Sequence, residues 1–261
     1  MDTKGRGFEG RRLKEKSREK REMVFGIRPI MECLQAGRDF EKIFVQKNLK
    51  GDNFKSLWTV LKSSSTPISK VPLERLNKFT GKNHQGIIGF ISPVKYFKTE
   101  SVIQNLYEKG RSPFIVVLDG ITDVRNFGAI ARSAECLGAD AIILPTTDTV
   151  QVNADAMKTS AGALNILPVC RTPKLSVALD YLKDSGLKIV GVSERAEQRI
   201  QDMDLRSPVA VILGSEETGI SDKILPICDE MGKIELYGNI PSLNVSTAAT
   251  VAFYEINRQR Y

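Results

Sequence analysis

From Phe114 onward the chain alternates short, continuous apolar runs with longer stretches of helical period. FIVVLDG, DAIILP, NILPVC, LKIVGVS, VAVILG and KIEL read as strands. NFGAIARSAECLGA, NADAMKTSAGA, LSVALDYLKDSG and the run rich in small residues that closes the chain read as helices. Unbroken Val, Ile and Leu strands suit a sheet covered on both faces, and their regular alternation with helices predicts a parallel α/β domain. Such sheets take ligands beyond the carboxyl ends of their strands.

Between Val24 and Tyr96 the pattern is shorter. GIRPIMECLQAG reads as a helix entered through Pro29 and ended by Gly37, KIFVQ as a strand, FKSLWTVLKSS as a helix, PISKV as a strand, PLERLNKFTG as a helix and QGIIGFIS as a strand. This is a small α/β unit with neither paired carboxylates nor a nucleophile constellation, which assigns it to binding. Its His84, the only histidine, lies in the polar GKNHQG segment and reads as a surface turn residue or an RNA contact, since a general base needs partner groups. The expected organisation is a disordered basic arm over 1–22, a small domain over 23–96, a polar linker over 97–112 with room for a short helix, and the parallel α/β domain over 113–261.

Composition and motifs sharpen this picture at four points. The arm carries nine basic residues against five acidic ones and supplies four of the seven excess positive charges. It has too few apolar residues to fold alone, and with a pI near 9.2 the chain favours a polyanion, nucleic acid first, as partner. Gly5, Gly7 and Gly10 match GxGxxG but follow no strand, so they are no dinucleotide fingerprint and a nicotinamide enzyme is disfavoured. Cys33, Cys136, Cys170 and Cys228 form no CxxC pair and read as reduced, mostly buried thiols, with no metal site implied. The start of the chain has no signal-peptide core and no run is long enough to span a bilayer, so the expected location is the cytoplasm.

Candidate chemistry gathers where strands end in small polar loops. Gly214-Ser215-Glu216 follows VAVIL, and Asn239 to Ser246 follows KIEL, so two loops beside parallel strands are expected to close on one small molecule. Asn126 starts or just precedes a helix that carries Arg132 six residues on, about two turns away. Taken singly, the loops are ordinary strand-to-helix turns, Asn126 is an N-cap and Arg132 a surface ion-pair partner. The sequon Asn244-Val245-Ser246 carries no weight without a secretion signal.

Together, NFGAIARSAECLGAD, VILGSEETGIS and IELYGNIPSLNVSTAATVAFYE resemble, in order, the three motifs of the SpoU (TrmH-like) RNA ribose 2′-O-methyltransferases of the SPOUT class. The unit holding FGIRPIMECL and NHQGIIGFIS resembles that family's L30e-like substrate-binding domain. The resemblance implies a deep trefoil knot in the C-terminal domain, S-adenosylmethionine as cofactor, RNA as substrate and a homodimer. It implies cofactor contacts from Leu213, Gly214, Ile234, Leu236 and Leu243, and a reaction site formed by Asn126, Arg132, Glu216, Ser242 and Asn244. An arginine is almost never neutral, so Arg132 is expected to clamp an RNA phosphate and polarise the ribose hydroxyl, with a phosphate oxygen or water taking the proton. Glu216 would orient Arg132 or Asn126, and Ser242 and Asn244 would fix the loop and the ribose. The chain departs from the usual pattern at Glu217, where glycine is common, and at Ile-Glu-Leu-Tyr-Gly in place of Ile-Pro-Met. The small domain points to a guanosine of large-subunit (23S) ribosomal RNA; a tRNA methyltransferase and a non-catalytic RNA-binding or ribosome-assembly module stay open.

Overall fold

The computed structural model describes residues 22–261, so the expected basic arm lies outside the described residues except for Glu22, which pairs with Arg38 at 2.7 Å. Two sheets organise the rest. The first, in the order β1-β4-β2-β3, joins β1 (Met23–Phe25), β2 (Phe40–Gln46), β3 (Ile68–Val71) and β4 (Ile87–Ile91). β2 runs parallel to β3, while β4 is antiparallel to both β1 and β2. The pleat sends Ile43 and Val45 to one face, where they meet Ile30 of α1 (Ile27–Gln35) and Leu57 and Leu61 of α2 (Asp52–Ser63). Phe44 and Ile88 point to the other face, under Leu76 of the one-turn α3 (Leu73–Asn77).

The second sheet is the expected parallel one and has eight strands in the order β10-β12-β9-β11-β6-β7-β8-β5. It contains β5 (Tyr96–Phe97), β6 (Phe114–Leu118), β7 (Ala141–Pro145), β8 (Val169–Thr172), β9 (Lys188–Val192), β10 (Gln198–Arg199), β11 (Val209–Leu213) and β12 (Glu230–Lys233). Five helices cover it: α4 (Thr99–Glu108), α5 (Val124–Cys136), α6 (Ala154–Thr159), α7 (Leu175–Asp184) and α8 (Val245–Arg260). Along β6 and β11 every residue is buried, with Val116 and Val211 turned to the layer of α5, α6 and α8 and Ile115 and Ile212 to the layer of α4 and α7. That two-sided burial is why the strands read as continuous apolar runs.

The chain leaves β9 for β10 at the sheet edge, returns to β11 in the interior, and later lays β12 into the gap between β9 and β10. The end of α8 fastens that returning segment: Gln259 exchanges hydrogen bonds with Met203 and Leu205, and the Arg260 guanidinium donates to the carbonyls of Leu205, Ser207, Ser112 and Pro113.

Several elements differ from the sequence reading. The KIEL strand is displaced: pairing covers Glu230–Lys233 and stops there, because β9 ends opposite Gly232 and β10 opposite Lys233, leaving Ile234 to Leu236 without a neighbour. The strand expected in NILPVC begins only at Val169, since Ala163–Asn165 form a 3-10 turn. Most of the expected linker over 97–112 is the ten-residue α4, whose Thr99, Ile103 and Leu106 form a buried helical stripe, and Tyr96 and Phe97 add an edge strand to β8. His84 is not a surface residue. It is buried, its Nδ1 accepts the Gly86 N–H at 3.1 Å, and its Nε2 therefore carries the proton donated to Asn77 Oδ1 at 2.9 Å, so its work is to pin the turn before β4. Of the four free cysteines only Cys170 is fully buried, its thiol pushed up to about 12 by burial, whereas Cys136 is exposed. Among the described residues no helix is long and apolar enough to cross a membrane, and no cluster of His, Cys, Asp and Glu is arranged to hold a metal.

Candidate active site

The carboxyl ends of β9, β11 and β12 surround a cavity of about 260 Å³. Leu213, Gly214, Ile234, Leu236 and Leu243, the five residues assigned to the cofactor, all line it, as do Glu216, Ser242 and Asn244 from the reaction-site set. Val192, Leu213, Ile234, Leu236 and Leu243 give it an apolar side, and Ser193, Glu194, Glu216, Ser242 and Asn244 a polar one. The volume falls just below the ~300–1,000 Å³ usual for small-molecule sites, which suits a cavity open to solvent on one side.

Two constraints build the β11 loop. Ser215 and Gly219 exchange backbone hydrogen bonds of 3.0 and 2.9 Å, and the Ser215 hydroxyl accepts the Thr218 N–H at 3.0 Å. Gly214 packs inside this loop: a Cβ there would lie 2.0 Å from the Gly219 carbonyl carbon and 2.1 Å from the Ile220 nitrogen. Its lack of a side chain is therefore required first by the loop's own closure. The left-handed position is taken by Gly219 at φ +72°, so the exposed Glu217 stands where its side chain costs no backbone strain. Asp119, at the end of β6, closes the same loop by accepting the Ser221 N–H at 2.8 Å.

On the opposite wall Asn244 is the N-cap of α8. Its Oδ1 accepts from the Ser246 N–H at 3.0 Å and the Ser246 hydroxyl at 2.6 Å, which fixes the amide so that Nδ2 faces outward. That Nδ2 donates to Asn126 Oδ1 at 3.1 Å and to Glu216 Oε1. One amide thereby ties together the starts of α5 and α8 and the loop after β11. Asn126 is not the N-cap of its helix. Asp123 is, accepting the N–H groups of Arg125 and Asn126 at 2.9 and 2.8 Å, which leaves the Asn126 side chain available to the cluster.

Arg132 is not brought to this cluster. Six residues beyond Asn126 on a helix is a turn of about 600°, so the side chains point roughly 120° apart. Its neighbour Ser133 faces α8, sharing a hydrogen bond of 2.7 Å with Thr250, while Arg132 is exposed and has no partner among the described residues. Ser242 also stands on the cavity wall with its hydroxyl unpaired among the described residues.

Two parts of the site escaped the sequence reading. Ser193, Glu194 and Arg195, just past β9, line the cavity, with the Ser193 N–H anchored on the Gly232 carbonyl at 3.0 Å and its hydroxyl accepting the Arg195 N–H at 3.2 Å. Their sequence signal is only the general one, that LKIVGVS is a strand of the parallel sheet with a polar loop at its carboxyl end. Asp119 closes the loop after β11 from LDG, the other such strand end. The donor set fits a cofactor with a flat aromatic ring and mixed charges: apolar walls, and Glu194 and Arg195 beside them.

The sequence model of the SpoU rRNA Methylase family matches residues 113–254, and the model described as RNA 2′-O ribose methyltransferase substrate binding matches residues 23–97. An uncharacterised tRNA/rRNA methyltransferase of Synechocystis is 34% identical over 94% of this chain, which spans 65% of that relative's length. The 23S rRNA (guanosine-2′-O-)-methyltransferase RlmB of Photobacterium profundum is 33% identical over 92% of this chain and 98% of its own. Among solved structures, the SpoU methyltransferase AviRb from Streptomyces viridochromogenes in complex with AdoMet superposes with a TM-score of 0.57 at 25% identity, covering 91% of this chain and 90% of that one.

Proposed function

The chain belongs to the SpoU rRNA methylase family and is an S-adenosylmethionine-dependent RNA methyltransferase; from that premise we propose that it methylates the ribose 2′-hydroxyl of a guanosine in 23S ribosomal RNA. The observation that carries the reading is the convergence of Asn126, Glu216 and Asn244 at the rim of a cavity walled by Leu213, Ile234, Leu236 and Leu243.

Bound there, the cofactor supplies a methyl group on a sulfonium, already a good leaving group. The residues then have to seat the cofactor, align the ribose and ease the departure of one proton. Leu213, Ile234, Leu236 and Leu243 exclude water from the ring, and backbone groups of the loops after β11 and β12 orient it. Asn126, held by Asn244, offers its free Nδ2 to a ribose oxygen. Ser242 offers its hydroxyl beside it. Arg132 binds an RNA phosphate through its guanidinium, and a phosphate oxygen or water accepts the proton, because the guanidinium stays charged.

The working form in this reading is a homodimer. Val251 and Tyr254 are exposed on the outer face of α8, beside the α5 surface that carries the unpartnered Arg132, and a second copy packed there would bring Arg132 to a shared site. The placement of β12 within the excursion from β9 to β11 supports reading the region as a trefoil knot. The site of action is the cytoplasm. A tRNA target is the second reading, favoured by the similarity to the uncharacterised tRNA/rRNA methyltransferase of Synechocystis.

The test is methyl transfer from labelled S-adenosylmethionine to total RNA lacking native 2′-O-methyl groups, followed by mapping of the alkali-resistant linkage. Label at one 23S guanosine is the expected result. Label in tRNA would overturn the substrate, and cofactor binding without transfer to any RNA or ribosomal precursor would overturn the activity.

A further inference from the structure

Between the two domains a flexible tether is the default, and relative motion with it. The chain has the opposite. Glu41, on β2 of the small domain, forms an ion pair of 2.6 Å with Arg171 on β8 of the large sheet, their side chains only 6% and 2% exposed. Arg171 also donates to the Phe40 carbonyl at 3.1 Å and lies with its guanidinium 3.6 Å from the centre of the Tyr96 ring. The Tyr96 hydroxyl donates to Glu41 at 2.7 Å, and the second carboxylate oxygen of Glu41 accepts the Val152 N–H at 2.9 Å. A further bond of 2.8 Å runs from the Tyr96 N–H to Asp39. Burial first, and the Glu41 charge second, hold the Tyr96 hydroxyl protonated well above its ordinary range, so it remains a donor.

Every polar group here is directional, and three separate segments, Tyr96 on the edge strand of the large sheet, Val152 and Arg171, converge on one carboxylate of β2. An apolar contact tolerates sliding; a planar guanidinium with one face on a ring and one edge on a carboxylate does not. Buried ion pairs add little net stability over apolar packing, and their best-attested use is to specify one geometry. The cluster sits near the carboxyl end of β8, on the same edge of the sheet as the cofactor cavity and three strands from β11, about 14 Å along that edge.

We propose that Glu41, Tyr96 and Arg171 are positioning residues that hold the substrate-binding domain at a single angle on the catalytic sheet, so that RNA gripped by the small domain reaches the cavity in one register. This rests on the RNA-methyltransferase reading. The lock selects which ribose is presented; it leaves cofactor binding untouched.

The test uses the full chain carrying Glu41→Gln together with Arg171→Met, which removes both charges at once and leaves neither unpaired, and Tyr96→Phe as a milder variant that keeps the ring. Interdomain geometry is read by small-angle X-ray scattering, cofactor affinity by calorimetry, and RNA kinetics with mapping of every methylated position. The double variant is expected to broaden the distance distribution, raise KM for RNA at least tenfold with cofactor Kd within twofold, and spread methylation to neighbouring riboses. Tyr96→Phe is expected to raise KM two- to fivefold, and carries the test by itself if the double variant does not fold. Unchanged KM and a single methylated position would overturn the proposal, as would equal losses of cofactor and RNA binding, or an RNA defect with the scattering profile unaltered. If the unsubstituted chain methylates no RNA, the activity reading has failed, and scattering alone decides whether the lock exists.

Discussion

The cavity rim and the domain junction are built alike and used differently. Each joins three side chains from distant segments, Asn126, Glu216 and Asn244 at the rim and Glu41, Tyr96 and Arg171 at the junction. At the junction the pair is nearly inaccessible to water. At the rim Glu216 and Asn244 are exposed, and Ser242 and the Asn126 Nδ2 keep unpaired donors among the described residues. Burial commits the polar groups to a joint, with the Arg171 Nε the one atom of the three side chains left buried without a partner among the described residues; exposure leaves donors in reserve for a substrate.

Substitutions can break or sharpen that contrast. The largest effect is expected at Gly214→Val: added atoms would overlap the backbone at Gly219 and Ile220, the loop must open, and calorimetry should detect no cofactor binding. Normal affinity would show that the loop is not part of the pocket. Arg132→Ala should reduce methyl transfer by about 10²–10³-fold, the range for removing one positioned donor from a reaction site, with cofactor Kd within a few fold. Equal loss of both would move Arg132 to the cofactor side.

Asn244→Asp separates capping from bridging. The carboxylate still caps α8, so helix stability should hold, but it loses the donor to Asn126 and repels Glu216, and transfer should fall by about tenfold or more, on the order of one charge-assisted hydrogen bond. Asn244→Ala should add a loss of about 1 kcal/mol in unfolding free energy from the missing cap, measurable by urea titration. Equal activity in the two variants would reduce the residue to a cap. At the junction, Tyr96→Phe should lower stability by about 1.5–3 kcal/mol through the lost bond to a charged group, more than the loss of the Asn244 cap at the rim. Smallest of all is Glu217→Gly, expected to change both stability and transfer within about ±0.5 kcal/mol, since the residue is exposed and its backbone unstrained.

The same contrast explains what the sequence could reveal. The rim stood out because its residues lie in strand-loop-helix steps, where apolar runs stop abruptly at Gly214 or just before Asn239. The C-terminal end of KIEL could not be read locally, since pairing stops where β9 and β10 stop, a fact of distant partners. Ser193 to Arg195 join the site for the same reason. The junction was hidden more deeply: Glu41 and Arg171 look like ordinary charges in their strands, and a segment as polar as 97–112 conceals its buried stripe of Thr99, Ile103 and Leu106. The reach of Arg132 was overstated by rise along the helix without its rotation. His84 was misplaced because a polar GKNHQG turn gives no hint that Asn77 waits beneath it.

The most direct test of the account is a crystal structure of the chain with S-adenosylhomocysteine. The account predicts the adenine against Leu213, Ile234, Leu236 and Leu243, with the homocysteine sulfur turned toward Asn126 and Asn244. The product analogue bound elsewhere, or in this cavity with its sulfur turned away from that cluster, would contradict it.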